Sequence, residues 1–379
     1  MNLRGNSRTL AVWTILSVML GGCVTLPRAP FTQDEQASAS PSGFGQVRYA
    51  AEEELLALML RQSLKPNAKG EIDALAVSGG GANGAYGAGL LYGWSKSGQR
   101  PQFQLVTGIS AGALLAPFAF LGPAWDNELR QAYFGSEVSH LTQPRLFSFL
   151  TPGLYRKAPL EELVRSYVSE KLINAVAAEH AAGRRLLVGT TNLDTQQLVV
   201  WDMGAIATKG GAKARDLFAT VLIASASVPG IYAPSMIGVE SAGQTFSEMH
   251  VDGQTEGAFF AIPQSLFLSK TLPPFHAHLF IVINGQVDRQ FGVTPRSTIP
   301  ILERTIDAGG KAAVRSALLT TAQFCERTGC ELSVSSLPAT VKDDSLDFDT
   351  THLNSLFAAG EAGSINGSGW QTATKALMP

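Results

Sequence analysis

Cysteine is scarce, with three residues in 379, so neither a disulfide-dense scaffold nor a cysteine-based structural zinc site can be built. Charge is scarce too. Only 16% of residues are charged, and 29 basic against 31 acidic side chains leave a formal charge of −2. No positive field is available to grip a polyanion, which excludes nucleic acid as a partner. Long apolar runs are nearly absent: the one from Thr9 to Leu20 falls short of the ~20 residues a membrane-spanning helix needs, and no second one follows. Solenoid repeats and coiled-coil heptads are missing as well. What the chain does have is 45% apolar residues, enough for a large core, and 38 glycines whose placement carries most of the information.

The N-terminus reads as an address. Arg4 and Arg8 precede the short apolar run, which stops at Leu20-Gly21-Gly22-Cys23. That stop resembles the lipobox of bacterial lipoproteins, which implies a signal peptide over 1–22, cleavage before Cys23 and a lipid on that cysteine. Losing the leader removes two arginines and no acid, moving the formal charge from −2 to −4. Residues 23–50, rich in Pro, Ser, Ala and Gly, read as the lipidated cysteine and a flexible linker. Val24 rather than Asp after the cysteine favours the outer membrane in a Gram-negative cell, on its periplasmic face. In such an oxidising compartment Cys325 and Cys330 favour a small disulfide loop over two free thiols.

From 51 to 379 no linker-like break appears, and one domain is expected. Helical patterns cover 52–64, about 159–182, 213–225 and 298–324, with further helical stretches after each of the first two strands. Strand patterns cover Ile72–Val77, Phe103–Thr107, Leu186–Thr190, Leu198–Trp201 and Leu279–Ile283. Near-continuous apolar strands alternating with helices predict an α/β class, with a largely parallel central sheet flanked by helices.

Two strand-to-helix turns carry the chemistry. The first, Ser78-Gly79-Gly80-Gly81-Ala82-Asn83-Gly84, fits a dinucleotide fingerprint by spacing, but no Asp or Glu occurs between Asp73 and Asp126 to hold a ribose. No cofactor is expected. The other use of such a loop is to aim backbone N–H groups at a developing oxyanion. The second turn, Thr107-Gly108-Ile109-Ser110-Ala111-Gly112, has the Gly-x-Ser-x-Gly spacing of a nucleophile elbow, with Gly108, Ala111 and Gly112 keeping the turn small around Ser110.

A serine nucleophile needs a base. The order Ser110, Asp252, His276 would suit a hydrolase triad. However, Pro273-Pro274-Phe275-His276-Ala277-His278 reads as the approach to a strand, where histidine is structural. His250, two positions before Asp252, stays open as a neighbour. Asp194 fits a turn and Asp216 a helix surface. Asp252 ends the short apolar segment Met249-His250-Val251 and precedes Gly253, so its spacing suits either a turn or a carboxylate at the active edge.

Together these features resemble the patatin-like phospholipase family, marked by a glycine-rich oxyanion loop, Gly-x-Ser-x-Gly and a later Asp-Gly. Ala224-Ser225-Ala226-Ser227-Val228-Pro229-Gly230 resembles another family block, and Asp347-Phe348-Asp349 the start of its C-terminal helix, so the likeness spans roughly 70–360. The resemblance implies a Ser110–Asp252 dyad working without histidine or metal. It also implies an oxyanion hole from Gly79, Gly80, Gly81 and Ala82, and hydrolysis of phospholipid or lysophospholipid acyl esters, with membrane lipids as substrate. Acyl transfer or thioester hydrolysis by the same dyad, or lipid binding with weak catalysis, are the other readings it allows. Asn83 stands where the family usually carries Lys or Arg, and Gln254 where it usually carries Gly or Ala.

Overall fold

A computed structural model of the chain describes residues 28–134, 138–143, 153–269 and 276–378. The expected leader over 1–22 and Cys23 lie outside these residues. Among the described residues nine strands form one sheet: β1 (Arg48–Ala50), β2 (Ile72–Val77), β3 (Leu105–Ile109), β4 (Arg185–Asn192), β5 (Gln197–Asp202), β6 (Ser235–Ser241), β7 (Gln244–Asp252), β8 (Ala277–Ile283) and β9 (Glu331–Ser336). The spatial order is β1-β5-β4-β3-β2-β8-β9, and the run from β4 to β9 is parallel. Successive side chains of a strand face opposite ways. Leu75 and Val77 therefore enter one apolar layer, with the helices Gly84–Lys96, Ala111–Leu121 and Gly211–Ser225. Ile72 and Ala74 enter the other, with the helix Glu54–Ser63. The expected α/β class, a mostly parallel sheet covered by helices on both faces, is what the chain adopts.

The register places the chemistry. β3 runs beside β4 only as far as Ile109, opposite Gly189. Beyond that point the edge of β4 that β3 leaves free is taken by the antiparallel β7, with Asp252 opposite Thr190. The last residue of β7 therefore arrives one step past the end of β3, where Ser110 begins the turn. This depends on the β6–β7 hairpin, which the sequence reading missed apart from residues 249–251. The hairpin turns at Ala242-Gly243, both with positive φ (49° and 80°), and its first strand alternates buried and exposed residues from end to end.

Three expectations need correction. Residues 28–50, read as part of a flexible linker, are packed onto the domain. β1 pairs with β5, Phe31 stacks on Phe246 with ring centroids 4.3 Å apart, and the Arg48 guanidinium forms a buried ion pair with Glu248. Their composition resembles that of a tether, but Arg48 is buried against Glu248 rather than solvated. The helix expected over 159–182 is two, Ala158–Tyr167 and Glu170–Ala181, because Ser169 caps the second by accepting from Leu172 N–H at 3.2 Å. The second strand is Leu105–Ile109 rather than Phe103–Thr107, so it runs straight into the serine turn.

Candidate active site

Ser110 sits between β3 and the helix Ala111–Leu121 with φ 57° and ψ −126°, a backbone conformation that costs a non-glycine residue roughly 1–3 kcal/mol. Its own N–H donates to the Ser225 hydroxyl at 2.9 Å, and that hydroxyl donates onward to the Gly189 carbonyl at 2.6 Å. The strained turn is thus clamped from outside, and the Ser110 side chain projects from the sheet edge at the N-terminus of a helix. The small residues around it let the two turns meet. A methyl added at Gly112 would lie 2.6 Å from the Ser78 carbonyl oxygen, and one at Gly79 would lie 2.9 Å from the Ser110 Cβ.

The Ser110 hydroxyl donates to Asp252 Oδ2 at 2.5 Å, while Oδ1 accepts the Gln254 N–H at 2.8 Å. Both residues are almost fully buried. Burial drives the Asp252 carboxyl up to about 7, against the lowering effect of its two hydrogen bonds. The Asp252 backbone is held by its N–H to the Ser227 carbonyl at 2.9 Å and by the Thr191 hydroxyl on its own carbonyl at 3.0 Å. This gives the 224–230 block its role: Ser225 clamps the serine turn and Ser227 clamps the aspartate.

In the glycine loop Gly80 and Gly81 take φ 153° and 55°, backbone that favours glycine. Among the described residues the N–H groups of Gly79, Gly80 and Gly81 find no acceptor, so they remain available to an oxyanion. Ala82 departs from expectation: its N–H donates to the Ser345 carbonyl at 2.9 Å and is already committed. Asn284 was not anticipated. At the end of β8 it donates from its backbone N–H to the Ser78 hydroxyl and from its side chain to the Ser78 carbonyl, both at 2.9 Å. Its own amide oxygen accepts from Gly87 N–H at 3.1 Å. It pins the loop to the helix Gly84–Lys96; an Asn-Gly pair after an apolar strand was its only local signal. Asn83 is buried and donates to Asp343 at 2.7 Å, and Asp343 also meets Lys311 at 3.2 Å. A cation therefore does reach this part of the loop, through a carboxylate and from a helix far along the chain. Gln254 extends its side chain beside Gly79.

The histidines lie elsewhere. His278 is in β8 and His276 just before it. His250, two positions from Asp252, faces Glu248 at 3.2 Å and Thr190 at 2.9 Å. Burial pushes its imidazole down towards the neutral form. Glu248, although burial alone would raise it, is held at about 2 by hydrogen bonds from His250 and Arg48. That network braces β7 from behind and does not touch Ser110. Asp194 accepts the Met249 N–H of β7 at 3.0 Å and the Arg28 guanidinium at 2.7 Å, and Asp216 pairs on the surface with Arg165. Cys325 and Cys330 are joined by a disulfide at the end of the helix Thr298–Thr328. No group of three or more His, Cys, Asp or Glu able to hold a metal occurs among the described residues.

Beside Ser110 opens a cavity with a mostly apolar lining. Gly81, Ser110 and Ala111 form its reactive end, and Leu114, Leu141, Leu160, Leu163 and Ile231 extend it as an apolar slot. A pocket with this lining suits a hydrocarbon chain with a few polar groups at one end.

Residues 75–258 match the sequence profile of the patatin-like phospholipase family, which takes in the glycine loop, Ser110 and Asp252. No curated protein sequence matches the chain. Among solved structures it is similar to VipD from Legionella pneumophila, with 13% identity over 81% of this chain and 70% of that one. The TM-score there is 0.34. Over residues 75–258 the chain carries a patatin-like phospholipase domain, a family of lipid acyl hydrolases.

Proposed function

We propose that this patatin-like phospholipase domain is a serine acyl hydrolase that cleaves fatty-acyl esters of phospholipids or lysophospholipids through an acyl-enzyme, with Ser110 as nucleophile and Asp252 as its base. The observation that carries the reading is the 2.5 Å hydrogen bond between the two at the mouth of an apolar slot. Asp252 Oδ2 takes the proton of Ser110 as Oγ bonds to the ester carbonyl carbon. The carbonyl oxygen becomes an oxyanion facing the N–H groups of the glycine loop, each worth about 3 kcal/mol to the transition state. Collapse expels the alcohol, which leaves with the proton from Asp252, and the acyl chain stays in the slot. Water, deprotonated by the same carboxylate, then releases the fatty acid and restores Ser110.

The address belongs to the same proposal. The short apolar run ending in Leu20-Gly21-Gly22-Cys23 supports a lipid on Cys23 and a place in the cell envelope, at the outer membrane in a Gram-negative cell. The Cys325–Cys330 disulfide is in keeping with an oxidising compartment.

Release of fatty acid from phospholipid and lysophospholipid is the test. The wild type is expected to hydrolyse at least one of them. Ser110→Ala and Asp252→Asn should each lower kcat by roughly a thousandfold or more while keeping the folded circular-dichroism spectrum. Hydrolysis by Asp252→Asn at the wild-type rate would remove the carboxylate from the mechanism.

A further inference from the structure

Phe291 and Val293 are the most exposed large apolar side chains among the described residues, at 97% and 87%. They stand on the loop that leaves the active edge of the sheet directly after β8. The base of that loop is fixed. Asn284 is bound to Ser78 of the oxyanion turn, Gln286 N–H reaches Asp343 at 3.3 Å, and the Gln286 side chain donates to the carbonyls of Pro338 and Val341 at 3.2 and 2.8 Å. From that base the segment Arg289-Gln290-Phe291-Gly292-Val293-Thr294-Pro295-Arg296 projects into solvent. It holds two exposed arginines and no acid, and among the described residues neither arginine is in an ion pair. The nearest acid before it, Asp288, faces Arg315 at 3.9 Å.

Other exposed apolar groups lie beside the slot. Leu346 lines the cavity and is 37% exposed. Leu154, 53% exposed, is hydrogen-bonded by its N–H to Gly230, next to the lining residue Ile231. Apolar tips flanked by cations, on the same edge as the opening of a hydrocarbon slot, match the two layers of a lipid surface: acyl chains below, anionic head groups above.

We propose that the 289–296 loop is a membrane-docking element that inserts Phe291 and Val293 into an anionic bilayer and sets the slot mouth against it. The inference rests on the acyl-lipid reading of the site, but its test separates the two. The full chain carries Cys23→Ser and Ser110→Ala, so no lipid is attached and the vesicles stay intact. An environment-sensitive fluorophore is placed on Val293→Cys or, as control, on Lys209→Cys, next to the start of the helix whose other end is Ser225; the disulfide leaves Cys325 and Cys330 unlabelled. With vesicles of phosphatidylcholine and phosphatidylglycerol, the label at 293 is expected to brighten roughly threefold and shift to the blue, the label at 209 not at all. The response should weaken with salt or with phosphatidylcholine alone. In the Ser110 enzyme, Phe291→Ser with Val293→Ser should cut hydrolysis of vesicle lipid about tenfold and leave a soluble short-chain ester within about twofold. A label at 293 that stays in water, or that responds to protein concentration without vesicles as a second copy would make it do, overturns the proposal. So does an equal loss on both substrates. If the Ser110 enzyme hydrolyses neither, the catalytic reading fails and the label still reports docking on its own.

Discussion

Burial holds the Asp252 carboxyl at about 7, some way above an ordinary aspartate, and this has one consequence for rate and another for stability. The base works only when ionised, so kcat/KM is expected to rise with pH below 7 and level off above it. For stability the sign is reversed. A carboxyl whose folded pKa is raised contributes fully below the unfolded value, near 4, and loses that contribution as pH rises through about 7. Above pH 7 the fold therefore carries a buried, poorly solvated charge. Asp252→Asn, uncharged and of the same shape, is expected to melt higher than the wild type. The gap should widen between pH 5 and pH 8 to on the order of 3 kcal/mol. Calorimetry at both values checks it; a gap that does not change with pH would show that the carboxylate is not strained by burial. Ser110 and Asp252 were both readable as residues, because Gly-x-Ser-x-Gly and Asp-Gly are local patterns. The bond between them was not readable from spacing alone, and came only from resemblance.

At the scale of elements, the glycine loop is held from three directions: Asn284 at the end of β8, Ser345 on Ala82, and Asp343 on Asn83. The last of these reaches Lys311, on the helix Thr298–Thr328, which is mostly buried between Asp307 and Asp343. Removing one partner of a buried pair leaves the other charge uncompensated. Lys311→Met is therefore expected to lower stability by about 3 kcal/mol. It should also lower kcat at temperatures where the variant is fully folded, since Asp343 and Ser345 both bear on the loop. Denaturant midpoints and turnover measured on the same preparation test this, and an unchanged value of both would remove Lys311 from the support of the loop. The partners that hold the loop lie more than 200 positions from it in the chain, so Asn83 looked in the sequence only like a missing cation. The 235–252 hairpin was overlooked for a different reason. Its inward positions include Ser235 and Ser241, so the apolar alternation fades at both ends.

For the molecule as a whole, the sequence made the class of fold plain because parallel strands buried on both faces read as near-continuous apolar runs, as in Ile72–Val77 and Leu279–Ile283. It misjudged where the domain begins. Residues 28–50 look like solvated chain, but Arg48 is paired with Glu248 behind β7, and Phe31 with Phe246. This N-terminal segment thus braces the strand that carries Asp252. The scattered glycines acquire a common purpose at this scale: they bring a strained serine, a buried carboxylate and a row of free N–H groups to one edge of the sheet, at the end of an apolar slot. The account stands or falls on Ser110 being an activated nucleophile. A fluorophosphonate probe followed by peptide mass mapping tests this directly. The wild type is expected to take up one phosphonate, on the peptide containing Ser110, with labelling lost in Ser110→Ala and strongly slowed in Asp252→Asn. Labelling of Ser110→Ala to the same extent as the wild type would contradict it.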